Sequence, residues 1–99
     1  MTTIVDLHPL AIREAKLIER YYARVGASQL KQYTAAFDDA VARVGTSPGM
    51  WSPDALGTRA CPLQKFPYRL VYIEEPGRIL VVAVPHDRRR PGYWRRRVS

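Results

Sequence analysis

Ninety-nine residues make one domain, spanning 1–99, with room to bury roughly 60–65% of the surface its unfolded chain exposes, so a modest core needs no covalent staples. A hydrophobic share of 46% and a charged share of 25% are those of a globular protein, and the apolar residues are too interrupted for the run of about 20 that a membrane helix needs. The net charge of +7 sits entirely in one half: residues 1–56 carry six Lys or Arg against six Asp or Glu, whereas residues 57–99 carry ten against three.

A neutral half and a basic half suggest a scaffold that presents a surface to an anionic partner, although charge alone fixes neither fold nor specificity. The amino terminus has neither the basic start nor the long apolar run of a secretory signal, and Cys61 has no second cysteine to pair with. A reducing cytoplasm is the expected location, with no membrane association.

Thr2 to Leu7 is expected to form a short first strand, and His8-Pro9 ends it, because proline suits the first turn of a helix but not the interior of a ladder. In the helix that follows, Ala11, Ala15, Ile18, Tyr22 and Val25 recur at spacings of three and four and share one face, with Arg13, Lys16, Glu19, Arg20 and Arg24 mostly turned away. Gly26 suits its end. Ser28 can cap a second helix, in which Tyr33, Phe37, Val41 and Val44 form the apolar stripe and Ala36 and Ala40 permit close approach; Gly45 and Pro48 should stop it. So short a connection leaves little choice but an antiparallel helical hairpin.

Residues 45–57 hold three glycines and two prolines and form the one long loop. From Thr58 the period becomes that of strands. Thr58 to Gln64 is a weak strand that Pro62 confines to an edge or a bulge. Tyr68 to Glu74 is a strong one, with Tyr68, Leu70 and Tyr72 pointing one way and Arg69, Val71 and Ile73 the other. Glu75-Pro76-Gly77-Arg78 suits a type II turn into the apolar strand Ile79 to Val84. The expected fold is α+β in the order β-α-α-β-β-β, an antiparallel sheet packed by an antiparallel helical hairpin.

After the last strand comes His86-Asp87-Arg88-Arg89-Arg90-Pro91-Gly92-Tyr93-Trp94-Arg95-Arg96-Arg97, which gathers six arginines and two aromatics. Guanidinium groups match phosphate and carboxylate, and flat rings can stack, so the segment suits an anionic ligand. His8, His86 and Cys61 give no metal-ligand spacing and no Gly-rich phosphate loop is present, so neither a metal nor a cofactor is expected.

Two stretches, Phe66-Pro67-Tyr68-Arg69-Leu70-Val71-Tyr72 and His86 through Trp94, together with the Tyr21-Tyr22 pair, Phe37 and Pro48, resemble the RelE/ParE superfamily of bacterial toxins, the growth-inhibiting halves of type II toxin-antitoxin pairs. The resemblance covers nearly the whole chain. It implies a sheet carrying a helical hairpin, and a cognate acidic antitoxin that wraps the toxin into a hetero-oligomer. It also implies a role such as plasmid stabilisation, and one of two targets: members similar to RelE cut mRNA on the ribosome without metal, and members similar to ParE bind and trap DNA gyrase.

Metal-free RNA cleavage needs a base for the ribose 2′-hydroxyl, an acid for the leaving oxygen and cations for the phosphate. The resemblance implies that Arg59, Lys65, Arg69, His86 and Tyr93 occupy the matching positions, with Arg69, His86 and Tyr93 catalytic if the protein is a nuclease. No persuasive general base stands among them, because the arginine run disfavours protonation of His86 and Tyr93 ionises far above neutral pH. The tail pattern resembles the ParE-like side more, which favours a gyrase-poisoning toxin over an endoribonuclease. In that reading Arg59, Lys65, Arg88, Arg89, Arg90, Trp94, Arg95, Arg96 and Arg97 form the nucleic-acid or target-binding set. A third possibility is a plain basic nucleic-acid binder.

Structural duties compete with each assignment. Arg69 equally suits an ion pair with Glu74 or Glu75, or cover for the sheet. His86 suits a ring hydrogen bond to nearby backbone. Tyr93 and Trp94 suit a hydrophobic clamp on the end of the sheet, with their polar tips wet.

Overall fold

The computed structural model describes residues 3–98. Strand β1 (Val5–Leu7) leads into helix α1 (Pro9–Val25), helix α2 (Ala27–Thr46) and a single turn of 3-10 helix at Pro48–Met50. Strands β2 (Arg59–Pro62), β3 (Arg69–Glu75) and β4 (Arg78–Ala83) follow, and a short helix, α3 (Arg95–Val98), ends the described chain. Thr2, assigned to the first strand from sequence, lies outside the described residues.

Local chemistry accounts for the helix boundaries. The His8 ring accepts the Leu10 N–H at 3.0 Å and caps α1, with Pro9 following as the first helical residue. Gly26 ends α1, donating its N–H to the Tyr22 carbonyl at 3.0 Å, and also stands at the start of α2. Ser28 is therefore not the cap that the sequence suggested; it lies inside α2, where its hydroxyl accepts a 3.4 Å bond from Gln32. Gly45 lies within α2 and is buried, and its carbonyl takes the Thr3 N–H at 2.9 Å.

The sheet has the order β1-β4-β3-β2. Both β2-β3 and β3-β4 are antiparallel, whereas β1 pairs in parallel with β4, Val5 opposite Ile79 and Leu7 opposite Val81, so the sheet is mixed rather than wholly antiparallel. The cause is the helical hairpin. It returns the chain to the start of β1, as the Thr3–Gly45 bond records, so β2 and β4 enter the sheet from the same end as β1 and run in its direction. Pro62 ends the edge strand β2, where a missing donor costs no ladder bond. At the β3-β4 turn Gly77 has φ of +81°, the left-handed backbone that a type II turn requires after proline.

The sheet is covered on both faces. Against the hairpin, Ala11, Ile18, Tyr33, Ala40 and Val44 pack onto Cys61, Leu70, Tyr72, Ile79 and Val81. On the opposite face Val71, Val82 and Ala83 are buried with Trp94, and Leu56, Ile73, Leu80, Tyr93 and Val98 complete that smaller layer. Burial on both sides explains why Ile79 to Val84 is continuously apolar where a half-exposed strand would alternate.

Candidate functional site

The carboxyl-terminal segment crosses the sheet face that the helices leave open, and hydrogen bonds fix its path. Tyr68 and His86 form an isolated antiparallel bridge, the Asp87 N–H reaches the Pro67 carbonyl at 2.8 Å, and the His86 ring meets Tyr68 edge-on at 5.2 Å. The His86 Nδ1 accepts the Arg88 N–H at 3.0 Å, so a neutral ring carries its proton on Nε2. The Arg89 N–H bonds the His86 carbonyl at 2.9 Å and closes a turn that leaves Arg88, Arg89 and Arg90 exposed. Gly92, at φ +83°, redirects the chain so that Trp94 turns inward.

Trp94 is 6% exposed and belongs to the core, its indole Nε1 without a hydrogen-bond partner among the described residues. Sequence placed it in the target-binding set; the fold uses it as an anchor for the tail. Tyr93 next to it points toward α1. Its hydroxyl donates to Glu14 Oε1 at 2.9 Å, and the same oxygen accepts the Val84 N–H at 2.8 Å. The other Glu14 oxygen pairs with Arg97 at 2.8 Å, and Arg97 also donates to the Val82 carbonyl at 2.9 Å. This one carboxylate thus ties α1, the end of β4 and the tail together. The side chains of Glu14 and Arg97 are 19% and 13% exposed, dry enough for the pair to matter.

Burial, reinforced by the Glu14 hydrogen bond and charge, pushes the Tyr93 phenol well above its usual range. A phenol held as a donor to a carboxylate is a poor general base. Its ring is also engaged: the Arg89 guanidinium lies 4.2 Å from the ring centroid and that of Arg97 5.2 Å.

The remaining basic residues divide sharply. Arg59 pairs with Glu74 at 3.2 Å and donates to the Trp51 carbonyl; Arg69 pairs with Asp87 at 3.4 Å, not with either hairpin glutamate; Arg78 pairs with Glu75 at 2.7 Å and Asp6 at 3.2 Å. Lys65, at φ +69° in the turn before β3, lines a separate hollow of about 280 Å³ beside Asp39 and Phe66. Arg88, Arg89, Arg90, Arg95 and Arg96 are exposed and have no ion pair among the described residues. Arg90, Arg95 and Arg96 surround a shallow concavity of about 340 Å³ floored by Pro91, Gly92 and Tyr93. The structure therefore gathers five of the six tail arginines on the outside and turns Arg97, with Trp94, to structural use.

Glu14 is the residue that sequence reading passed over, although a signal was there. It stands three residues after Ala11 and four before Ile18, on the margin of the buried stripe, where a carboxylate needs a partner. Among the described residues no three His, Cys, Asp or Glu side chains come together as a metal would require, and no helix is long and apolar enough to cross a membrane.

Beneath the tail, Asp54 organises the end of the long loop. Its carboxylate accepts the Leu56 and Thr58 N–H groups at 2.9 and 3.0 Å and the Thr58 hydroxyl at 2.6 Å. Partial burial opposes ionisation, but these hydrogen bonds outweigh it and lower the Asp54 pKa below the usual carboxylate value. Leu56 is thereby held against the tail, its Cδ1 lying 3.9 Å from where a Gly92 side chain would begin.

A four-stranded mixed sheet with a helical hairpin on one face and an arginine-bearing tail on the other is a fold shared with a chain of the chromosomal ParDE TA system from P. aeruginosa, which matches with a TM-score of 0.73 at 13% identity over 86% of this chain and 96% of that one. Comparison with curated proteins gave no match. The family model described as ParE toxin of type II toxin-antitoxin system, parDE, matches residues 5–91. The chain belongs to the ParE toxin family.

Proposed function

We propose that this toxin inhibits growth by binding and poisoning DNA gyrase, and that a cognate acidic antitoxin neutralises it. The observation that carries the reading is the condition of the nuclease candidates. The Tyr93 hydroxyl is committed to Glu14, Arg69 pairs with Asp87 and Arg59 with Glu74, and the His86 Nδ1 is occupied by the Arg88 N–H, while the exposed arginines offer charge but no proton-transfer group. Such a surface supports binding better than phosphodiester cleavage.

The outer face of α1 supports an antitoxin seat. Leu10, Leu17 and Tyr21 are 42%, 53% and 52% exposed and form a stripe at spacings of seven and four, beside Arg13, Arg20 and Arg24 at the same spacings. An amphipathic acidic helix lying along α1 would bury the first row and pair with the second. Localisation in the cytoplasm and a toxin-antitoxin hetero-oligomer belong to the same reading.

Induced expression with parallel readouts tests it. Gyrase-dependent double-strand breaks and an SOS response with intact transcripts are expected. Intact DNA with codon-phased transcript ends, abolished by Arg69→Ala, would overturn it in favour of a ribosome-dependent endoribonuclease.

A further inference from the structure

We infer that the tail arginines dock directly on the sugar-phosphate backbone of duplex DNA, so that the toxin contacts the nucleic acid held by its target as well as protein. The inference deepens the gyrase reading and rests on it for its biological setting, but the binding can be measured without gyrase.

Three observations carry it. First, the charge is selective: Arg59, Arg69, Arg78 and Arg97 each meet a carboxylate, whereas Arg88, Arg89, Arg90, Arg95 and Arg96 meet none among the described residues. Five exposed guanidinium groups between residues 88 and 96, none of them in an ion pair among the described residues, create a local field that an extended polyanion can satisfy. Second, the aromatic residues of the tail are already in use. Trp94 is in the core and the Tyr93 ring carries two guanidinium groups, so the segment has no open ring for base stacking and suits a phosphate chain better than a single strand read through its bases.

Third, the concavity among Arg90, Arg95 and Arg96 is floored by Pro91, Gly92 and Tyr93, and none of the exposed large hydrophobic side chains lies in the tail, unlike α1. An acidic protein helix binds through apolar anchors, which α1 has and the tail does not. The tail is also held in place: Glu14 fixes Tyr93 and Arg97 on either side of Trp94, so Arg95 and Arg96 project from an anchored turn and bind with less ordering cost than a loose tail would.

The test uses the full-length toxin and a fluorescein-labelled mixed-sequence 20-base-pair duplex, with anisotropy read across a salt series. If all five arginines reach phosphates, log affinity falls against log salt with a slope of about −4 to −5, and the triple variant R90A/R95A/R96A reduces the slope to about −2 and weakens binding roughly 100-fold or more at 0.1 M salt. The charge-matched variant R13A/R20A/R24A on α1 changes binding by less than about threefold, since its arginines lie outside the docking row. Circular dichroism and thermal melting of both variants check that each is folded.

Absence of duplex binding, equal weakening by both variants, or tighter binding of polyglutamate than of the duplex would each overturn the inference. Trapping of gyrase on DNA, assayed with the same preparations, separates the two proposals: wild-type trapping without duplex binding leaves the gyrase reading standing, and duplex binding without trapping leaves the docking surface standing alone.

Discussion

The outer face of α1 and the carboxyl-terminal tail are both arginine-rich, yet they are built for different partners. On α1 the cations run beside exposed Leu10, Leu17 and Tyr21, so charge and apolar area lie in parallel rows on a rigid helix. In the tail Tyr93, Trp94 and Val98 pack inward, and five arginines are left outside. An arginine count says little until the neighbours are known: beside aliphatic side chains the residue steers a protein partner, beside a carboxylate it braces the fold, and alone in a row it is available to phosphate.

The largest expected effect comes from breaking the link that Glu14 makes between the two regions. Glu14→Ala leaves the Val84 N–H, the Tyr93 hydroxyl and Arg97 without their common acceptor, and should cost about 3 kcal/mol of stability, after allowance for partial exposure. Denaturant unfolding measures the loss, and trypsin should cut the arginines of residues 88–97 faster while the arginines of α1 stay protected. Equal exposure of both would mean that the tail has no separate dependence on Glu14.

A smaller effect sharpens the α1 side. Leu17→Asp puts a carboxylate in the centre of the apolar row and should weaken antitoxin binding by about 2 kcal/mol, roughly 30-fold, by calorimetry, with stability unchanged within about 0.5 kcal/mol because Leu17 is largely exposed. Duplex DNA affinity should not fall.

The smallest effect concerns the loop beneath the tail. Asp54 has a folded pKa below its unfolded value, so its contribution is fully present above the ordinary carboxylate pKa of about 3.9 and disappears as the pH falls through the lowered value. Thr58→Val removes the hydroxyl bond to Asp54 while both backbone N–H contacts remain, and should cost about 1 kcal/mol at neutral pH. Unfolding midpoints from pH 7 to 2.5 should converge for variant and wild type at the acid end. A constant gap would remove Asp54 from the account.

Sequence patterns conveyed the elements held together by near neighbours. The spacing of Ala11, Ile18 and Tyr22, the Pro76-Gly77 turn and the edge position of Pro62 each depend on a few adjacent residues, and each stands in the structure as expected. What the patterns could not convey depends on partners far along the chain. Glu14 and Arg97 are 83 positions apart, and nothing near Arg97 distinguishes it from Arg95 or Arg96. The parallel pairing of β1 likewise follows from where α2 ends, not from the residues of β1. Ser28 failed as a cap because Gly26 had already ended one helix and begun the next.

Trp94 completes the second layer of the core, and the turn that seats it also carries the exposed arginines on either side. Closing the apolar layer over Val71, Val82 and Ala83 and displaying the cationic face are therefore one event. A chain whose second layer is open lacks an ordered basic surface as well, so damage to this small core disarms the toxin without touching an arginine.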